Sequence, residues 1–220
     1  IFTLHVCGQC DRCLAGHEEV CAYSPGQLGF SLDGTFADLV AVPVENLVRI
    51  PAGVTFETAA VMGCAGLTAV HAVRVAGVRL GQHVVVTGAG GVALMTVQVA
   101  IAVGATVTAV TRDPAKADLL ASAGAHDVVI LGSDGYAELP GRLAASAEPV
   151  AHVLDVVGSD ATVAAGLRSV EPYGTVTLVG AVGDDLRISA YSVLLSQARL
   201  IGTLAGTRAE LRTAMDLAAR

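Results

Sequence analysis

The chain of 220 residues contains no tryptophan, and its aromatic residues together amount to 4%. Stacking platforms for single-stranded nucleic acid need aromatic faces, so that class of function is disfavoured from the start. Positive charge is short as well: 13 Lys and Arg stand against 20 Asp and Glu, a net charge of -7. An acidic surface repels polyanions, and nucleic acid is not an expected partner. Ile1-Phe2-Thr3-Leu4 lacks the basic n-region and small-residue cleavage site of a secretory leader, and a cytoplasmic location is expected. An initiator Met is also missing. Because these first residues already read as the end of a strand, an upstream part is expected.

Charged residues make up only 15% and apolar ones 53%, enough to bury a sizeable core. A membrane span needs about 20 continuous apolar residues. The most apolar stretch, from His83 to Arg112, is cut by Gly88, Gly90, Gly91 and Gly104 into shorter pieces. It is expected to be buried in a folded domain, not to cross a membrane.

That stretch organises the rest of the chain. Val84-Val85-Val86-Thr87 reads as a buried strand, Gly88-Ala89-Gly90-Gly91 as a turn, the apolar run to Val103 as a helix, and Thr106 to Thr111 as a second parallel strand. In such a βαβ unit Gly88 permits the tight turn and Gly90 lets the backbone approach a pyrophosphate. Ala93 takes the third small position, where helix and strand lie close. N–H groups at the start of the helix, with Gly91 and Val92 leading it, would then bind the phosphates of a dinucleotide. An acidic side chain about 20 residues later would hold the ribose of NAD. Here Thr111 and Arg112 occupy that place, and a guanidinium suits a 2′-phosphate. The balance tilts toward NADP, although Asp113 could reach the ribose of NAD. Alternatively, Arg112 and Asp113 simply cap the next helix, with Pro114 in its first turn.

Four of the five cysteines crowd into one segment, as Cys7, Cys10, Cys13 and Cys21. Three thiols at x2 spacing and a fourth after a short loop can close a tetrahedral zinc site with no open position. Adjacent Cys-x2-Cys pairs make poor disulfides, and nothing in the sequence signals an oxidising compartment. A structural zinc is the expectation. The fifth, Cys64, stands alone in an apolar run. A lone Cys is commonly a small buried hydrophobe.

With these residues in view the chain resembles the zinc-dependent medium-chain alcohol dehydrogenases. The cysteine spacing is followed by Gly29-Phe30, Asp33-Gly34-Thr35-Phe36-Ala37, Val42-Pro43, Asn46-Leu47-Val48, Ile50-Pro51 and Cys64-Ala65-Gly66-Leu67-Thr68, then the glycine turn, all similar to that family. The resemblance implies a Rossmann-type doubly wound parallel α/β sheet, preceded by part of a β-rich GroES-like catalytic domain with its zinc lobe. Residues 1–55 would form the latter and 56–220 the former. It implies that Cys64 is one protein ligand of a catalytic zinc and that Thr68 lines the nicotinamide pocket. Asp155 to Gly158, with Val157 among them, and Val179, Gly180 and Ala181 would border the dinucleotide groove. The expected activity is hydride transfer between an alcohol, or the matching aldehyde or ketone, and NAD(P). The other ligands of the catalytic zinc would lie upstream, so this chain alone is expected to be inactive. A homodimer or homotetramer, paired through the sheet edge near the sixth strand, is implied as well. The alternatives are a zinc-free quinone or enone reductase of the same superfamily, or a non-catalytic dinucleotide-binding module with structural zinc.

Other expectations concern local structure. Gly16-His17-Glu18 mimics a family zinc motif but lies inside the cysteine lobe, where His17 and Glu18 read as solvated. Asp33-Gly34 reads as a hairpin turn, Ala37 to Val42 as a half-buried strand, and a helix should begin near Phe56. His71 reads as a helix-surface or packing residue, and His83 as exposed. Further on, helices are expected at Ala115 to Ala123, Ala161 to Leu167 and Ala209 to Arg220. Strands are expected at Val128 to Ile130 (buried), Val153 to Gly158, Gly174 to Gly180 and Leu200 to Thr203. Asp134 to Ser146 should be exposed.

Overall fold

From His83 onward the strands, most of them rich in valine and threonine, form one sheet in the computed structural model. The structure describes residues 2–146, 148–182 and 185–220; the expectation for Ile1 lies outside them. β1 (Leu4–His5) and β2 (Gly26–Gln27) pair antiparallel, whereas β3 (His83–Thr87), β4 (Thr106–Thr111), β5 (Asp127–Ile130), β6 (Val150–Asp155), β7 (Val170–Leu178) and β8 (Arg199–Gly202) form a six-stranded parallel sheet. Its order, β5-β4-β3-β6-β7-β8, is that of a dinucleotide-binding doubly wound fold, with the order reversing between β3 and β6. Val85 lies opposite both Thr108 of β4 and Val153 of β6. The central strands are buried on both faces, which is why they read as unbroken apolar runs and not as alternation.

The chain folds as two compact units, one of residues 1–71 with 204–220 and one of residues 72–203. In the first unit, α1 (Asp11–Leu14) belongs to the cysteine segment and α2 (Phe56–Val61) starts at Thr55, whose hydroxyl accepts from Thr58 N–H. A π-turn (Met62–Gly66) leads directly into α3 (Leu67–Ala76), and α9 (Arg208–Ala218) opens with a Thr207–Glu210 capping box. Phe2, Ala59, Leu67, Leu211 and Met215 make its core. The helical run Phe56–Ala76 is long and apolar enough to cross a membrane by length and composition alone. Half of its most apolar window is buried within the fold, as in a core helix.

The second unit carries α4 (Gly91–Ala102), α5 (Ala117–Ser122), α6 (Leu139–Ala144), α7 (Asp160–Ser169) and α8 (Ala190–Ser196) around the sheet. Ala93 and Ala100 of α4 pack against Val84, Val86 and Val107 in one core cluster. Val85, Val153 and Val176 join Leu139, Val163 and Leu167 in another.

Several expectations are corrected. The turn after β2 closes at residues 28–31, where Leu32 N–H donates to Gln27 C=O, and not at Asp33-Gly34. Ala37 to Val42 forms no strand, and Leu39 is 91% exposed. A ladder needs a neighbour, and none of the described residues supplies one. β5 is an edge strand in which only Val129 is buried. The segment 134–146 is not simply exposed: Pro140 sits in the first turn of α6, and Tyr136, Leu139 and Leu143 face inward.

His83 is buried as the first residue of β3, its Nε2 2.9 Å from the Thr108 hydroxyl. A second buried histidine, His152 of β6, has Nε2 3.1 Å from Gln82 Oε1. Burial, and then the nearby Arg199 and Arg79, hold its pKa below the ordinary imidazole value. Between that depressed value and about 6.5 the unfolded chain binds more protons than the folded one, so stability rises with pH across this window. His152→Gln is therefore expected to flatten the loss of stability on acidification below about pH 6.5. Urea midpoints measured across that range check this, and equal slopes in both proteins would refute it.

Candidate functional site

Gly8, at φ +70°, turns the chain between Cys7 and Cys10 so that Cys10 N–H donates to Cys7 Sγ at 3.3 Å. Cys7 N–H in turn donates to Cys21 Sγ at 3.4 Å. The sulfurs of Cys7, Cys10, Cys13 and Cys21 all lie within 4.8 Å of one another. The Cys7–Cys21 separation is 3.6 Å, and Cys7–Cys13 and Cys10–Cys21 are both 4.0 Å. A tetrahedron with metal–sulfur bonds of about 2.3 Å has edges of about 3.8 Å, so the donor set fits zinc in both chemistry and spacing. Backbone N–H groups of Cys13 and Ala22 pull the Cys10 thiol down to about 6. Burial, with bonds to Cys10 and Cys21, pushes Cys13 up to about 12. Thiols this close cannot all ionise without a cation among them, and N–H donors already favour the thiolate form at part of the site.

Glu18 departs from its expected solvation, while His17 keeps to it. Glu18 accepts from the backbone N–H of Arg208 at 2.9 Å and from its Nε at 3.0 Å, capping α9 from within the cysteine segment. Burial alone would raise this carboxyl, but the Arg208 donors and charge outweigh it and hold the group below its ordinary value.

Cys64 lies in the π-turn and is exposed, not packed as a small hydrophobe. Thr68 is half-buried in the first turn of α3. Among the described residues the four-cysteine group is the only cluster of three or more potential ligands, so no such cluster forms around Cys64. His71 is a packing residue, with Nδ1 3.0 Å from the Glu210 carboxylate.

In the second unit the glycine turn follows β3 at the sheet's carboxyl edge. Gly88 has φ +93°, and a Cβ there would press on Val157 at 3.2 Å. At Gly90 and Gly91 a Cβ would meet nothing within 4 Å, and no side chain caps the start of α4. The first N–H groups of a 12-residue helix thus face open space beside a bare backbone, a cradle that suits a pyrophosphate. β6 is the neighbour of this turn's strand and β7 the next strand beyond it, and their loops follow at the same edge of the sheet. Val182 N–H donates to Gly158 C=O at 3.2 Å, and Val179 and Gly180 donate to Asp155 C=O at 2.8 and 3.0 Å. Val157, Val179 and Gly180 are half-buried, and Ala181 is exposed.

At the end of β4 the Thr111 hydroxyl is buried and accepts from Asp113 N–H at 3.0 Å. The Asp113 carboxylate caps the next turn through Ala115 N–H, also at 3.0 Å. Arg112 is exposed, with its guanidinium 5.9 Å from the centre of the Tyr136 ring. Tyr136 escaped the sequence reading because the polar residues around it suggested a surface loop. The Thr87 hydroxyl, which bonds to Asp155, escaped it because a threonine at a strand end carries no distinguishing pattern.

Comparisons with known proteins bear on these features. The model for zinc-binding dehydrogenases matches residues 91–220, and that for the alcohol dehydrogenase GroES-like domain matches residues 1–52. An alcohol dehydrogenase of Geobacillus stearothermophilus is 33% identical over 213 residues, covering 97% of this chain and 62% of the relative. A putative zinc-binding dehydrogenase of Sinorhizobium meliloti 1021, solved bound to NADP, superposes with a TM-score of 0.86 at 28% identity, covering 99% of this chain and 64% of that one. A thermostable alcohol dehydrogenase of Pyrobaculum aerophilum, solved with cobalt and zinc, gives 0.85 at 29% identity over 99% and 62%. The chain spans about three-fifths of the length of the curated relatives it matches. With a Rossmann-type sheet and a GroES-like segment both present, the chain belongs to the zinc-binding dehydrogenases of the medium-chain alcohol dehydrogenase family.

Proposed function

We propose that this chain carries the dinucleotide site and the structural zinc lobe of an NAD(P)-dependent alcohol dehydrogenase acting on a simple alcohol and its aldehyde or ketone. The observation that carries the reading is the uncapped start of α4 behind Gly88, Gly90 and Gly91, at the point where the strand order reverses. The N–H groups of Gly91 and Val92 would hold the pyrophosphate, with Val157, Val179, Gly180 and Ala181 bordering the groove. Arg112 would take a 2′-phosphate. Asp113 is already engaged as a cap and Thr111 carries no charge, which supports NADP over NAD. Cys7, Cys10, Cys13 and Cys21 would hold the structural zinc. Residues 1–55 would act as the GroES-like part and 56–220 as the nucleotide part.

The exposed Cys64 thiol would be one ligand of a catalytic zinc, and Thr68 would line the nicotinamide pocket. Such a zinc would supply Lewis-acid polarisation of the substrate oxygen, and the nicotinamide would supply the hydride acceptor. The chain's own task is to orient the dinucleotide and present a thiolate. The protein would work in the cytoplasm, and its copies would pair through β8, which among the described residues is an edge strand beside β7.

Titration of the purified chain with NADPH and NADH tests the reading. NADPH is expected to bind about tenfold more tightly, a difference of about 1.4 kcal/mol. Equal or inverted affinity would overturn the cofactor preference, and failure to bind either would overturn the dinucleotide site. Oxidation of ethanol or 2-propanol by the longest product of the encoding gene tests the activity itself.

A further inference from the structure

Asp155, at the end of β6, has no exposed surface. Its Oδ1 accepts from the Thr87 hydroxyl at 2.6 Å and from the N–H groups of Val157 and Gly158, each at 3.1 Å. Its main-chain carbonyl accepts from Val179 and Gly180. One residue therefore ties together the carboxyl ends of β3, β6 and β7. These are the strands that lead into the glycine turn, the 156–158 loop and the 179–181 loop. Its Oδ2 is buried and has no hydrogen-bond partner among the described residues. A buried carboxylate with one oxygen unsatisfied is costly, and an apolar side chain would fill the space at lower cost. The acidic group at this place has a use beyond packing.

We infer that Asp155 is a positioning residue of the dinucleotide cradle, fixing the three loops around the pyrophosphate and the nicotinamide half of the cofactor; this rests on the dinucleotide reading given above. Asp155 acts through the backbone of its neighbours and does not touch the cofactor. Three donors on one carboxylate oxygen, the Thr87 hydroxyl closest at 2.6 Å, suit a group that must hold loops in one register. The adenosine end would meet a different part of the sheet, the end of β4 at Arg112, with which Asp155 shares no hydrogen bond among the described residues.

This division supplies a test that a general loss of structure would not reproduce. NADPH and adenosine 2′,5′-bisphosphate are titrated into the wild-type chain and into Asp155→Ala, Asp155→Asn and Thr87→Val. For Asp155→Ala, NADPH affinity is expected to fall by about 10- to 100-fold, the cost of losing hydrogen bonds to a charged group. The bisphosphate carries only one phosphate of the pyrophosphate and no nicotinamide half, so its affinity should fall by no more than about twofold. Asp155→Asn keeps the acceptor oxygen and should recover most of the lost affinity. Thr87→Val removes one bond and should weaken NADPH alone, by about three- to tenfold. If the alanine variant does not fold, the asparagine and Thr87 variants decide the question. Unchanged NADPH binding, or equal weakening of both ligands, overturns the positioning role. A wild-type chain that binds the bisphosphate and NADPH upholds the dinucleotide reading whatever the variants do. One that binds neither overturns that reading and the positioning role with it.

Discussion

Gly158→Ala is expected to destabilise the protein by about 3–5 kcal/mol, the sum of overpacking and a left-handed backbone. Gly158 has φ +71°, and a Cβ built there would lie 1.8 Å from the carbonyl oxygen of Gly180 and 2.3 Å from its carbon. The contact is reciprocal, since a Cβ at Gly180 would lie 2.1 Å from the Val156 carbonyl oxygen. Both obstacles are main chain, so no rotamer change relieves them and one loop must move. These loops are also bonded to each other through Val182 N–H and Gly158 C=O, and both hang from Asp155. Displacing one therefore strains the ends of two central strands. For a chain of this size the expected loss lowers the unfolding midpoint by about 6–20 °C. Gly91→Ala is the matched control, because a Cβ there meets nothing within 4 Å and the site is the first residue of a helix. It should leave the midpoint unchanged or slightly raised. Thermal unfolding of the two variants beside the wild type checks this, and similar midpoints for Gly158→Ala and Gly91→Ala would refute it.

The elements that were legible in advance share one property: their signal is local. Val84 to Thr87 is buried on both faces, so a continuous apolar run between glycines identified it without knowledge of its neighbours. The cysteines were legible because thiols at x2 spacing have few uses other than metal. What failed was set by partners distant in sequence. Ala37 to Val42 alternates as a half-buried strand would, but alternation cannot reveal whether a neighbouring strand is there to pair with it. Tyr136, Leu139 and Leu143 repeat at helical spacing, yet Pro140 and Gly141 mask the pattern to anyone who treats both as helix breakers. Pro140 is tolerated because it sits in the first turn, where its missing N–H would have no helical partner. Glu18 finds Arg208 across 190 positions of sequence, and His71 finds Glu210 across 139. No periodicity announces such pairs. The glycine turn was legible as a motif and Asp155 as a residue at a strand end, whereas the bonds its carboxylate makes became visible only when three strand ends were seen side by side.

Cys10→Ser should abolish stoichiometric zinc binding and, at the same time, loosen the start of α9. On the proposed reading, the lobe is held by a metal whose binding free energy is of the order of 10 kcal/mol, and replacing one thiolate opens its coordination shell. The effect reaches α9 because Glu18 lies in a short 3-10 turn between Cys13 and Cys21. From there its carboxylate accepts the backbone N–H of Arg208, the first residue of α9, and the Arg208 side chain as well. An acidic group at a helix N-terminus contributes about 1 kcal/mol through the exposed N–H groups and the helix dipole. If the lobe unfolds, that cap leaves. The Thr207–Glu210 box remains, so α9 should fray without melting. Hydrogen exchange is expected to quicken by about five- to tenfold at the Arg208 amide, matching the loss of that cap. Amides of β3 and β4 in the other compact unit should be unaffected. Metal analysis together with exchange checks both halves of the expectation. Zinc retained by Cys10→Ser would remove the four-thiolate site. Zinc lost with unchanged protection at Arg208 would leave the site standing but refute Glu18 as the link between the metal lobe and the helix.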